Sequence, residues 1–345
     1  DCLLYLPELV VKKIIEEISN LGGSITQALK LAYEIDGPLV SLYYLTAFIG
    51  AVCPIIAAYL FKIILDNLVT TSNRNINQIE IPLLIIIALA SYFFVRLVET
   101  VAYWGLNISY YDYLLRNKLQ AGLNFRYAQK LASLDLANLE NPTIQSLITT
   151  VDETFKWQVP DFIRIWNYIF SHSIGVIVAT IALMPYGIWI PLSVLIVAAP
   201  RIYLKVKHGN FVWSMYAGSA PEVKKLYYLS SLLTHQSSIL ETRIFQSQKA
   251  LLQRLSKLQS HLFDVNKKPL DNYRWVLIFA PLIETILVFV IIYSILPKTL
   301  AAILTIGSFT FIITTLEQLR SNAAWGTAHC GQLYEHNLFV KPFLN

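Results

Sequence analysis

Residues 39–65 read LVSLYYLTAFIGAVCPIIAAYLFKIIL, with one charged side chain, Lys62. An α-helix rises about 1.5 Å per residue, so about 20 apolar residues cross the roughly 30 Å of a bilayer's hydrocarbon core. This stretch is long enough to cross and too poor in polar groups to fold in water. Gly37-Pro38 stands just before it and predicts a break that starts the span.

Five further runs have the same character, at 81–106, 162–184, 188–203, 275–296 and 300–319, which makes six expected spans with the first at Leu39–Leu65. Pro185-Tyr186-Gly187 predicts a tight hairpin between the third and fourth, and Pro297-Lys298 one between the fifth and sixth. The whole chain agrees: 345 residues, 55% hydrophobic and 14% charged. A soluble domain carries about 25% charged residues. The fold class expected is therefore an all-α membrane protein, an integral protein of the cell (plasma or inner) membrane.

The connections after spans one, three and five are short, whereas those at 107–161 and 204–274 are long. Neither long one reads as disordered. Residues 111–119 and 251–258 place leucines at helical spacing with charges on the other face. Both read as helices that leave the membrane, turn and return. Arg116 and Lys118 follow the second span, Arg201, Lys205 and Lys207 the fourth, and Lys267, Lys268 and Arg274 precede the fifth. The other side offers Arg74 and Lys298. Basic residues near span ends stay cytoplasmic, so both long loops and both termini are expected in the cytoplasm. Residues 1–37 hold short amphipathic segments, 14–18 and 28–33, that suit elbow helices in the headgroup plane or a packed cytoplasmic extension.

The net charge of +5 is carried between the spans, which suits anionic lipid headgroups and excludes a nucleic-acid partner. Cys2, Cys53 and Cys330 are far apart, and no zinc or disulfide spacing accompanies them. No metal is expected, and Cys53 reads as packing inside an apolar run.

Local motifs now carry a resemblance. The stretch Pro54–Asp66 has a mid-helix proline and closes with Lys62-x-x-x-Asp66. The first long loop contains Leu134-Asp135-Leu136-Ala137-Asn138-Leu139-Glu140-Asn141-Pro142, and the second Leu240-Glu241-Thr242-Arg243-Ile244-Phe245. With six spans and two long helical cytoplasmic loops, the chain from about Ser24 onward resembles the transmembrane domain of ABC exporters (the type-1 transmembrane family). Asn138-Leu139 stand where that family commonly has aromatics, and Leu240 and Thr242 replace a usual lysine and a usual apolar residue.

The resemblance implies residues 38–322 as the six-helix domain, residues 323–345 as the start of a linker, and a domain-swapped dimer with an identical or different second transmembrane domain. It also implies transverse coupling helices near 136–146 and 237–246 that engage an ATPase. Leu136, Leu139, Glu140, Asn141, Pro142, Glu241, Arg243 and Phe245 are the candidate coupling residues. The segment 333–339 is similar to the lead into a fused ATPase domain, and the chain begins Asp-Cys, as a fragment would.

A P-loop needs Gly-x-x-x-x-Gly-Lys, because backbone amides cradle the phosphates and the lysine neutralises them. No glycine here precedes a lysine. This chain alone is therefore not expected to be an enzyme and carries no catalytic residues or cofactor. ATP and Mg would belong to a nucleotide-binding domain, fused or separate, and the complete transporter would be an ATP-hydrolysing translocase.

Charges at bilayer depth cost about 2.5–3.5 kcal/mol each on insertion scales and usually face protein or water. Arg96, Glu99 and Glu284 are the candidates for the translocation cavity or for structural pairing. Arg164 is expected to snorkel, and Glu317 with Arg320 to form an anchoring pair. The alternative to an ATP-driven pump is a secondary transporter or channel, which would show paired broken helices and inverted repeats.

Overall fold

The computed structural model describes residues 6–72, 82–135, 142–198 and 220–344. The chain falls into two compact units: residues 1–202 with 283–345, and residues 203–282. Among the described residues all regular structure is helical.

Helix α1 runs Leu6–Ser72 and breaks once, at Asp36 (φ −157°, ψ 83°). The cause is local. Asp36 Oδ1 accepts the amide of Leu39 at 3.1 Å and so caps the helix that restarts at Gly37-Pro38. Before the break, Ala28 and Ala32 are fully buried in a cluster with Leu115, Leu119 and Phe162. Ion pairs Lys118–Asp36 and Arg126–Glu34 flank that contact.

Helix α2 (Leu83–Glu99) passes through a π-helical stretch, Thr100–Tyr111, into α3 (Asp112–Ala132) without leaving helical geometry. The amphipathic spacing of α3 does what it predicts: Leu115, Leu119 and Leu123 are buried on one stripe. Helix α4 (Pro142–Leu183) ends in a single 3₁₀ turn, Met184–Tyr186. Gly187 then takes φ 137°, where a Cβ would lie 2.8 Å from Trp189 Nε1. The expected hairpin is thus present, and only glycine fits it. A short apolar helix, α5 (Trp189–Ala198), follows.

Helix α8 (Gln248–Leu300) contributes residues to both units, and α9 is Ile306–Leu344. The turn between them differs from expectation. Pro297-Lys298 lies inside α8, and the helical structure is interrupted at 301–305 instead. Proline lacks an N–H but keeps its carbonyl. Pro297 O accepts Ala301 N at 2.9 Å, Lys298 O accepts Ile303 N at 3.0 Å, and Ala302 takes the left-handed conformation (φ 56°) that closes the helix. The sixth apolar run therefore begins helical structure at Ile306 rather than Leu300.

In the first unit α4 packs most extensively on α9, and α1 on α9, α2 and α4. A second apolar cluster is built on Ile55, Leu183, Ile190, Ile291, Ile312 and Leu316. By contrast α2 faces outward: in its most apolar window only 11% of residues are buried, and Phe93, Phe94 and Leu97 are all exposed. An apolar helix so little covered by its own chain needs lipid or another apolar surface against it.

Four helical segments among the described residues are long and apolar enough to cross a membrane: Leu21–Thr71, Leu83–Ala132, Gln158–Tyr186 and Leu277–Leu300. They contain the first and third expected spans and all but the first two residues of the second and fifth. The fourth falls partly on α5 and runs on outside the described residues. The sixth falls on α9, where Glu317, Gln318 and Arg320 interrupt the apolar run.

Candidate functional site: an exposed loop tip and a polar seam

In the second unit, α6 (Ala220–Thr234) ends at His235, whose extended backbone (φ −75°, ψ 133°) turns the chain into α7 (Gln236–Ile244). Nine residues later the chain turns again. Phe245 N donates to Glu241 O at 3.0 Å, Gln246 (φ 51°) donates to Arg243 O at 3.2 Å, and Ser247 N donates to Thr242 O at 3.1 Å. Thr242 faces inward, 7% exposed, and its hydroxyl returns to Ile239 O.

The other residues of Leu240–Phe245 face out. Phe245 is 78% exposed, Ile244 77% and Leu240 61%, with Glu241 and Arg243 exposed beside them. Leu240 and Ile244 are one helical turn apart. The result is an apolar knob edged by one acid and one base, a shape that a complementary groove desolvates. Thr242, a departure from the resembled motif, is the buried residue of the tip, and its backbone carbonyl accepts one of the bonds that close the turn.

The companion tip is less visible. Leu136, Leu139, Glu140 and Asn141 lie outside the described residues, and Pro142 is the first residue of α4.

The intramembrane candidates divide. Arg96 Nη1 donates to Glu99 Oε2 at 2.6 Å, so these two neutralise each other on one face of α2. Glu284 sits on α8 and is 4% exposed. Glu317 and Arg320 form the expected pair, at 2.8 Å.

Sequence reasoning missed a polar seam inside the first unit. Asn107, fully buried, donates to Tyr43 O at 2.6 Å and Thr46 Oγ1 at 3.0 Å. Asn167, also fully buried, donates to Asn107 Oδ1 at 3.1 Å. Three helices are pinned together at one point. Nearer the end of the helices that carries Asp36, Tyr43 Oη donates to Asp112 Oδ1 at 2.9 Å, and Asp161 lies 3.1 Å from Arg164 and 3.4 Å from Arg116. Arg164 is thus paired with the carboxylate of Asp161, one turn before it.

Along α9, His172 Nδ1 meets Asn322 Oδ1 at 3.0 Å, and the His172 and His329 rings stack at 5.6 Å with Trp325 beyond. Burial pushes the His329 and His336 imidazoles below their usual value. No group of three metal-ligating side chains occurs among the described residues, and Cys53 is buried as a packing residue.

No family model matches the chain. Two curated relatives do, at low identity. The subtilin transport ATP-binding protein SpaT of Bacillus subtilis is 17% identical over 327 residues, 94% of this chain and 52% of its own length. The nisin transport ATP-binding protein NisT of Lactococcus lactis subsp. lactis is 21% identical over 327 residues, 92% of this chain and 51% of its own. The chain thus spans about half the length of the curated relatives it matches. Its distant relationship is to transport ATP-binding proteins, and its apolar helices make it a membrane protein.

Proposed function

We propose that this chain is the membrane-spanning part of an ATP-driven ABC exporter. It forms the translocation pathway with six spans and couples to an ATPase domain, fused or separate, that binds ATP and Mg. Both long helical loops and both termini face the cytoplasm of a cell membrane, and a second transmembrane domain completes a domain-swapped dimer.

The observation that carries this reading is the tip at Leu240–Phe245. It is a compact turn between α6 and α8 that exposes an apolar knob flanked by Glu241 and Arg243. An ATPase that closes in water moves helices in lipid only through mechanical contact, and stiff helices transmit a rigid displacement. The alignment over nearly the whole chain with transport ATP-binding proteins supports the same reading.

Cargo is the open term among lipid, peptide and drug-like classes. Subtilin and nisin, for which the two relatives are named, are the first compounds to try. The test is ATP hydrolysis in proteoliposomes that contain the protein with its ATP-binding domain. Cargo should stimulate turnover, and Glu241→Arg should abolish the stimulation while leaving basal hydrolysis in place. Unchanged cargo-stimulated turnover in that variant would contradict the proposal.

A further inference from the structure

Three elements of the first unit converge on a cavity of about 410 Å³: α1, the α4–α5 hairpin and α9. Its walls are Ile55, Ile56, Ala182 and Phe311, and its polar corner is Lys62 with Tyr59 and Tyr186. A volume of that size lies within the range of small-molecule sites, roughly 300–1,000 Å³. The corner lies near the end of an apolar run, where α1 finishes, the hairpin turns and α9 begins. A crossing helix meets the headgroups at such a place.

Lys62 is spent on weak partners. Its Nζ donates to Tyr186 Oη at 3.0 Å and stands 5.7 Å from the ring centres of both Tyr59 and Tyr186. An ammonium has three donors, and this is its one recorded hydrogen bond among the described residues. Asp66, one turn further along α1, does not neutralise it at close range. Its carboxylate instead accepts the Gly307 amide at 2.9 Å.

We propose that this cavity is a binding site for an anionic phospholipid, with its phosphate on Lys62 and an acyl chain along Ile55, Ile56 and Phe311. Charge chooses the headgroup. The lysine ammonium already stands by the Tyr59 ring and on the Tyr186 hydroxyl, so a headgroup that brings its own quaternary ammonium meets a like charge. A net-negative headgroup meets the Lys62 ammonium, with the Asp66 carboxylate one turn away as the opposing charge. The apolar walls choose an amphiphile over a free phosphate ion. This inference needs only that the chain lies in a membrane, and its test reads lipid retention rather than transport.

Native mass spectrometry of the purified protein, exchanged into mixed micelles of detergent with phosphatidylglycerol or phosphatidylcholine of matched acyl chains, counts the retained lipid. One phosphatidylglycerol per chain is expected, held in preference to phosphatidylcholine. Lys62→Gln keeps the length of the side chain and removes the charge. It should weaken phosphatidylglycerol about tenfold, the scale of one charge-assisted hydrogen bond, and erase the preference, while Lys62→Arg retains it. Ala182→Phe, which fills the cavity and keeps the lysine, should exclude the lipid. Thermal unfolding of each variant in detergent alone separates lost binding from lost fold. Equal retention of both lipids, unchanged retention in folded Lys62→Gln, or a cavity closed by a second copy of the chain would overturn the proposal.

Discussion

The carboxylate of Asp66 accepts the backbone amide of Gly307 at 2.9 Å, tying the last turns of α1 to the first turn of α9. A helix's first amides have no partner within the helix and carry its positive end, so an acid placed there stabilises it. Thr305 completes the cap by accepting the amide of Ser308 at 3.1 Å. The approach is close enough to require glycine. A Cβ at position 307 would lie 2.4 Å from Lys62 O and 2.5 Å from Asp66 Oδ1.

Gly307→Ala should therefore destabilise the fold by about 1–3 kcal/mol, the usual cost of overpacking. Asp66→Asn, which keeps an acceptor but loses the charge, should cost less, about 0.3–1 kcal/mol. Thermal unfolding of the detergent-solubilised variants checks the order. A larger loss for Asp66→Asn than for Gly307→Ala would mean that charge, not space, governs the contact.

The Asn107–Asn167 pin gives a second prediction. Interhelical hydrogen bonds in membranes contribute about 0.6 kcal/mol on average and up to about 1.7, and Asn107 engages three partners at once. Asn107→Ala should lower stability more than Asn167→Ala, because it removes three hydrogen bonds rather than one and leaves the Asn167 amide without its acceptor in an apolar setting. A double-mutant cycle should show coupling between the two positions, measured by unfolding in mixed micelles. Additive losses would show that the pair does not act as a unit.

Acid should loosen the far end of α9. Burial lowers the His336 imidazole; nearby Asp161 opposes that shift and Arg164 reinforces it. Burial also lowers His329. Both are neutral above about pH 6.5, the ordinary histidine value, in folded and unfolded chains alike. As the pH falls through that value the unfolded chain takes up protons that the folded one resists. Stability must then decline, until the folded imidazoles protonate as well. The unfolding midpoint should fall between pH 7 and pH 5, and His336→Gln should flatten the profile. A midpoint that rises on acidification would reverse the sign argued here.

Hydropathy made the first, second, third and fifth spans legible because each is a long run with few charges, and Pro185-Tyr186-Gly187 announced its own turn. Pro297 misled because a proline that ends the hydrogen-bond donors of a helix still supplies an acceptor, so α8 continues to Leu300. Asn107 and Asn167 lie sixty residues apart in sequence, and nothing local marks either as the other's partner. Arg164 carried its signal in plain view, since Asp161 is one turn away, but Arg116 as the second partner comes only from packing α3 on α4. At the second tip the resembled motif located the turn, while exposure of Leu240, Ile244 and Phe245 emerged only in three dimensions.

The central claim is that this tip grips an ATPase, and thiol cross-linking tests it most directly. Phe245→Cys is made in a protein whose Cys2, Cys53 and Cys330 are replaced by serine, so that it presents the sole thiol of this chain. At 78% exposure, Phe245 is a surface position whose replacement should leave stability within about 0.5 kcal/mol. The account predicts a cross-link from residue 245 to a cysteine in the ATP-binding domain, formed from the cytoplasmic side and accompanied by loss of cargo-stimulated hydrolysis. Labelling of residue 245 from the outer face by a membrane-impermeant reagent, with no cross-link to the ATP-binding domain, would contradict it.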